Sequence, residues 1–118
     1  MLSNRCISSD RCAPVVAGFR EAAGVTEVWL CGEIDFASSH GMVEDLDRLL
    51  GGDNRAIRVD LAAVTFLDAS GIGSCLQVQR RARAGGCDLV FTNPRGIVAR
   101  VISLLGLESV LLGADHRG

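Results

Sequence analysis

Lysine is absent from these 118 residues; all twelve basic side chains are arginine. That absence excludes a phosphate loop of the G-x-x-x-x-G-K-S/T kind, which needs a lysine to reach the terminal phosphates. Long apolar runs are missing as well. No stretch approaches ~18 consecutive apolar residues, so no membrane-spanning helix is expected. The first residues, MLSNRCISSDRCAP, contain no apolar h-region, and no secretory signal is expected there. Nor is there an excess of positive charge. Twelve basic against fourteen acidic residues give a net charge of -2, so the bulk composition carries no nucleic-acid footprint. Cysteine is present five times, at 6, 12, 31, 75 and 87, but never at Cys-x-x-Cys spacing. Zinc-ribbon and thioredoxin-type patterns both fail on that spacing. His40 and His116 have no cysteine or carboxylate at ligand spacing, so neither a metal nor a cofactor is expected.

What is present describes one ordinary folded domain. Hydrophobic residues make up 48% and charged residues 22%, which argues against disorder over most of the length. A chain of this size buries about two thirds of its unfolded surface. Residues 1–14, rich in Ser, Asn, Asp and Arg, read as a flexible leader ending at Pro14. The domain itself is expected over 15–112, with a tail at 113–118. Cys31, Cys75 and Cys87 fall in apolar segments, where cysteine behaves as a small buried hydrophobe. Cys6 and Cys12 read as exposed thiols, and the whole set as reduced and cytoplasmic.

From Val15 onward, strand-like and helix-like patterns alternate. Val15–Arg20 reads as a first strand and Ala23-Gly24 as a turn. Thr26–Gly32 reads as a second strand, whose nearly continuous apolarity predicts helices over both faces. Over Ala37–Leu50, Met42, Val43, Leu46, Leu49 and Leu50 recur at helical spacing; Ser38 or Ser39 is the expected cap and Gly51-Gly52 the stop. Ala56–Leu61 alternates as a strand, with Ile57, Val59 and Leu61 on one side. Gly71–Ala84 reads as a helix ending in Arg80, Arg81 and Arg83, cations that complement the dipole of a last turn. Cys87–Thr92 is a strand, Asn93-Pro94 a break, Gly96–Leu105 a helix and Glu108–Leu112 a short final strand. This order predicts an α/β domain with helices packed on a mixed, partly parallel sheet. Sites in such folds lie at the carboxyl ends of the parallel strands. Here those loops are Glu33–Ala37, Ala63–Gly73 and Asn93–Gly96.

The segment VTFLDASGIG at 64–73 carries the most chemistry. Gly71-x-Gly73 begins a dinucleotide fingerprint, but Leu76 occupies the third glycine position and Asp88 stands at the wrong end of its strand. A nucleophile elbow fails around Ser70, because Asp68 and Ile72 occupy the two glycine positions. Neither histidine is placed to activate the hydroxyl, so no catalytic residue is assigned. Two readings of Ser70 stand side by side. In one, Asp68 or Ser70 merely caps the following helix, as these residue types commonly do. In the other, Ser70 is a phosphoacceptor at a helix N-terminus, with Gly71 clearing access for a kinase. A phosphate there would bring about -1.5 to -2 charges next to Asp68.

Together with two further blocks, this segment resembles the STAS-domain family, the anti-sigma factor antagonists of bacteria. The blocks are CGEIDFASS at 31–39, VDLAAVTFLDASGIG at 59–73 and NPRGIVARVISLLGLESVL at 93–111; the likeness spans about residues 15–112. The resemblance implies a sheet of four or five strands covered by about three helices. It implies that Ser70 is phosphorylated, that Asp68 shapes the site, and that the loop of Gly32, Glu33, Ile34 and Asp35 lies beside the serine. It places a partner-binding surface over Glu33, Asp35, Phe36, Asp68, Ala69, Gly71, Ile72 and Gly73. The implied partner is an anti-sigma factor, often a serine kinase with a histidine-kinase-like ATPase fold, bound only by the unphosphorylated form; a serine phosphatase resets the switch. The alternative use of the fold is a subunit of a larger assembly, such as a stress-sensing complex or a lipid-transport ATPase, without phosphate turnover. Neither use is enzymatic.

Three features depart from the family pattern. Ala69 replaces the commoner serine before the phosphoacceptor, leaving one hydroxyl, and Ala37-Ser38-Ser39 replaces a Thr-Ala-Pro-like helix start. The usual C-terminal helix is expected to be shortened or missing, which would leave Val110, Leu111 and Leu112 partly exposed or shared in a homodimer.

Overall fold

Period-two alternation of apolar side chains sets the sheet, and the helices follow from the intervening stripes. The computed structural model describes residues 16–50 and 55–113. Strand β1 (Val16–Ala22) turns at Ala23-Gly24 into β2 (Val25–Ile34). Helix α1 (Phe36–Leu50), strand β3 (Ala56–Leu67), helix α2 (Ala69–Ala84) and strand β4 (Asp88–Thr92) come next. The order closes with α3 (Gly96–Leu104) and the single turn α4 (Glu108–Leu111). The four strands lie in the order β1-β2-β3-β4, with β1 antiparallel to β2 and the other two pairs parallel. A four-stranded mixed sheet with four helices is therefore the fold, an α/β domain as expected. The expected leader at 1–14 with Cys6 and Cys12, the Gly51-Gly52 stop, and the tail beyond Gly113 with His116 all lie outside the described residues.

Helices α1 and α2 pack against each other, α2 also contacts β4, and α3 lies along β3. Between helices and sheet sits one core, in which Leu30, Ile34, Met42, Leu46, Ile57, Phe91 and Ile102 are fully buried. Cys75 is enclosed there and burial pushes its thiol up to about 12, while Cys87 is raised by burial and by the neighbouring Asp88. Both therefore act as small apolar fillers. Cys31 is half-buried.

Four expectations are corrected. First, β2 is not covered on both faces. Thr26, Val28 and Leu30 are buried, while Glu27 and Trp29 point the other way and line a shallow depression with Arg58 and Asp60. The Arg20–Glu27 ion pair lies on that side, so the polar residues among the apolar ones mark a solvent-facing surface. Second, β3 continues to Leu67, six residues beyond the expected end at Leu61, because the second half pairs with β2 through Ile34↔Leu67. Third, Glu108–Leu112 is a helical turn, not a strand. The buried Gln79 of α2 explains it: its side-chain amide donates to the carbonyls of Leu89, Val110 and Leu111, at 3.1, 2.9 and 3.1 Å. This tie holds the turn against the edge of β4. Fourth, Leu111 and Leu112 are buried in the chain's own core, so of the expected exposed trio only Val110 faces outward.

The β1–β2 hairpin contains a local strain. Ala23 has φ 56° and Gly24 φ 81°, the two positive angles of a tight hairpin turn. Glycine adopts that region freely; alanine pays a steric cost of roughly 1–2 kcal/mol there. Ala23→Asn, which tolerates the left-handed region, should stabilise the domain by about 1 kcal/mol in urea or thermal unfolding. A neutral or destabilising result would contradict the strained-turn assignment.

Candidate functional site

Helix α2 begins where β3 ends, and Asp68 makes the junction. Its backbone is extended (φ -102°, ψ -173°), and its carboxylate accepts the Gly71 N–H at 2.9 Å. The same oxygen, Oδ1, accepts the Ser70 hydroxyl at 2.8 Å. Asp68 is thus the helix cap, and Ser70 is a hydroxyl oriented by that cap. The Gly71 amide, the Ser70 hydroxyl and further local donors hold the Asp68 carboxyl below its ordinary range. Hydrogen bonds donated to a carboxylate favour its charged form, so Asp68 is ionised at neutral pH and a weak base.

The junction at the end of β2 repeats the arrangement. The Ser38 backbone N–H donates to Asp35 Oδ1 at 3.0 Å, while the Asp35 N–H donates to Ser38 Oγ at 3.0 Å. This reciprocal pair is a capping box in outline, with Asp35 as cap and Ser38 as its partner. The expected cap, Ser38 or Ser39, is corrected accordingly. The Ser38 hydroxyl also donates to the Glu33 carbonyl at 2.7 Å, folding the loop back on itself. The Asp35 carboxyl is lowered mainly by the Ser38 backbone N–H.

The two junctions are neighbours. Glu33 pairs with Phe66 and Ile34 with Leu67 across the parallel ladder, and the Asp68 N–H donates to the Ile34 carbonyl at 3.3 Å. Gly32, at φ +79° beside a register shift, turns β2 just before Glu33. Such a bulge re-aims the next side chain, and Glu33 is exposed.

Gly71 seals the contact. A Cβ built there would lie 2.5 Å from the Ile34 carbonyl oxygen and 2.8 Å from Leu67 Cδ1. Its missing side chain therefore makes room for β2, not for an approaching enzyme, which corrects the access role expected for it. Ile72, expected as a partner contact, is 5% exposed and belongs to the core. It supports the site from beneath. Ala69 and Gly73 are exposed and Ser70 half-buried, while Phe36 stands 83% exposed. Phe66, 43% exposed next to Glu33, was not singled out from sequence; its place emerges only from the longer β3.

The third expected loop, Asn93–Gly96, does not reach this site. Strand β4 ends opposite Asp60, and Asn93 Nδ2 donates to Asp60 Oδ2 at 2.9 Å. Asp60 and Leu67 stand seven positions apart on β3, roughly 23 Å of strand. Among the described residues, no group of three or more His, Cys, Asp or Glu side chains is placed to hold a metal ion. No described helix is long and apolar enough to cross a membrane.

The family model described as "Mlab, STAS domain" matches residues 17–113. Among solved structures, the anti-sigma factor antagonist SpoIIAA in its unphosphorylated form shares 21% identity at a TM-score of 0.67, over 83% of this chain and 87% of that one. SpoIIAA from Bacillus in its phosphorylated form gives 20% and 0.60, over 83% and 90%. An anti-sigma factor antagonist from Mycobacterium paratuberculosis gives 24% and 0.66, over 79% of each chain. The protein Mglu gives 23% and 0.62 over 69% of this chain, which spans only about 20% of Mglu's length. At these identities the structural likeness is one of fold.

The two glycines of the first α2 turns should behave oppositely. Gly71→Ala should destabilise by about 1–3 kcal/mol through overpacking against Ile34. Gly73→Ala meets nothing within 4 Å and should stabilise by about 0.5–1 kcal/mol through helix propensity. Denaturant unfolding of both variants checks the pair; equal effects would contradict the packing described.

Proposed function

The chain belongs to the STAS-domain family, and we propose that it acts as an anti-sigma factor antagonist switched by phosphorylation of Ser70. The observation that carries this reading is the Ser70 hydroxyl, held by Asp68 at the start of α2 and flanked by exposed Phe36, Ala69 and Gly73. In the unphosphorylated state this surface presents a neutral hydroxyl and exposed small or apolar groups beside the Asp68 carboxylate, suited to packing against a protein. The partner is an anti-sigma factor, read as a serine kinase with a histidine-kinase-like ATPase fold, in the cytoplasm. Glu33, Asp35 and Asp68 border the contact; Gly71 and Ile72 position it. Relatives by fold include SpoIIAA in both phosphorylated and unphosphorylated forms, which supports the reading.

The chemistry asks little of this chain. The Ser70 Oγ–phosphorus bond forms as the bond from the γ-phosphorus to the bridging oxygen of ATP breaks, and ADP leaves. The hydroxyl proton goes to a base of the kinase, since Asp68 is held in its weakly basic form. The product is a dianion next to a carboxylate, tolerated at the helix N-terminus by the free end of its dipole. A partner packed there would have to desolvate that charge. A loss of about 3 kcal/mol weakens affinity more than a hundredfold. A serine phosphatase restores binding. The protein is then a substrate and ligand of enzymes, not an enzyme.

The match to the "Mlab, STAS domain" model favours a second reading, a STAS subunit of a larger assembly without phosphate turnover. One experiment separates them. The purified protein is incubated with ATP and each candidate anti-sigma kinase of the source genome, then analysed by intact mass and site mapping. One phosphate on Ser70, absent from Ser70→Ala, is the expected result. Ser70→Ala should bind the same kinase as tightly as wild type, and Ser70→Asp at least tenfold more weakly. A stable complex with no phosphate on Ser70 would overturn the switch in favour of the second reading.

A further inference from the structure

Six large apolar side chains stand exposed among the described residues, and four of them, Ile97, Leu104, Leu105 and Val110, fall in or just after α3. Apolar residues exposed singly are ordinary, whereas a contiguous group marks a contact surface. Val98 and Ile102 carry α3 into the core. Ile97, Val101 and Leu104, at i, i+4 and i+7, form a second stripe along its flank. Its two ends are open, Ile97 52% and Leu104 78% exposed, and Val101 between them is partly buried. Leu111 and Leu112 are buried and take no part.

The charges of this segment are Arg95, Arg100 and Glu108, all exposed and none ion-paired among the described residues. The neighbouring strand β3 carries no charge beyond Asp60, whose carboxylate already accepts Asn93 Nδ2 and the Ala62 N–H. Arg95 is the N-cap of α3 yet makes no side-chain cap bond, and the first turn holds no acidic residue. A cation therefore stands at the positive end of the helix dipole, with nothing beside it to offset the mismatch. The last turn has no basic residue, and Glu108 follows close after the C-cap Leu105. A base at one end, an acid at the other and an apolar stripe between them make a surface complementary to itself when inverted.

We propose that this flank of α3 pairs with the same flank of a second copy of the chain, antiparallel about a two-fold axis beside Val101. That axis sets Ile97 against Leu104 of the second copy, and the Arg95 end of one helix against the Glu108 end of the other. A parallel pairing would instead set Arg95 against Arg95. Arg100, two positions from both Val98 and Ile102 and so on the far side of the helix from the core, comes near its own counterpart at the rim. Nine residues give only about 14 Å of helix, too little for the roughly 1,200–2,000 Å² of a stable interface. The dimer is accordingly weak and reversible. None of these residues belongs to the Ser70 site, so the inference is independent of the switch.

The test is sedimentation velocity of the full chain, thiols kept reduced, from about 10 µM to 1 mM, which brackets a Kd on the order of 100 µM. Circular dichroism melts establish that each variant is folded. Leu104→Gln, a neutral change at an exposed position, is expected to weaken association about fivefold or more. Arg95→Glu and Glu108→Arg should each weaken it about fivefold, while the two together return to within about twofold of wild type. Arg100→Gln should tighten it about twofold by removing the like-charge contact. Arg80→Glu, on α2, should leave it unchanged. A monomer at every concentration, or a dimer indifferent to Leu104→Gln, would overturn the proposal. Losses that add in the double variant would overturn the antiparallel pairing and the proposal with it. A monomer that floats with phosphatidylglycerol vesicles would assign the face to a membrane, and would equally overturn it.

Discussion

The approach of α2's first turn to the end of β2 leaves no room for a methyl group, and the site depends on that contact. With only 2.5 Å between a hypothetical Gly71 Cβ and the Ile34 carbonyl, the helix start and strand end form one rigid body. The Asp68 N–H bonds the same carbonyl, and the Asp68 carboxylate then bonds Gly71 and Ser70. A single backbone oxygen thus lies behind the cap, the helix start and the direction of the serine hydroxyl. Close packing of this kind lets a surface group change its charge without changing the scaffold that presents it.

The two aspartates at the strand ends show how one solution serves two purposes. Asp35 caps α1 through a closed exchange with Ser38, and all of its hydroxyl partner's bonds stay within the loop. Asp68 caps α2 through Gly71, which leaves Ser70 bonded to the cap by its own hydroxyl, two residues into an exposed helix start. The serine at the first junction is structural. The one at the second has a hydroxyl that the cap can lose, since the Gly71 N–H still bonds Asp68 without it, and that is the freedom the proposed phosphorylation requires.

Much of this was readable from the chain itself. Helix α1 and the strands β1, β2 and β4 fall within two residues of their expected bounds, because their apolar periodicity is carried by many residues at once. The pairing of the Glu33 loop with the Ser70 segment was also expected, from family resemblance. The misreadings share a cause: each needed a partner distant in sequence. The length of β3 is set by β2, and the turn at Glu108–Leu111 by Gln79, thirty-one residues from Val110. The place of Asn93 depends on where β4 stops along β3. Gly71 and Ile72 look available in a helix-start motif, yet the face they occupy is turned toward the sheet, as only the α2–β2 packing reveals.

The central claim is that phosphate on Ser70 changes the surface and not the fold. Comparison of amide chemical shifts and hydrogen exchange between the protein with serine and with phosphoserine at position 70 tests it most directly. The account predicts shift changes confined to residues 33–36 and 66–74, with unchanged protection in the cores of β2, β3 and α2. Loss of protection along α2, or changes spread to β1 and β4, would show that the phosphate acts by loosening the fold, and would contradict it.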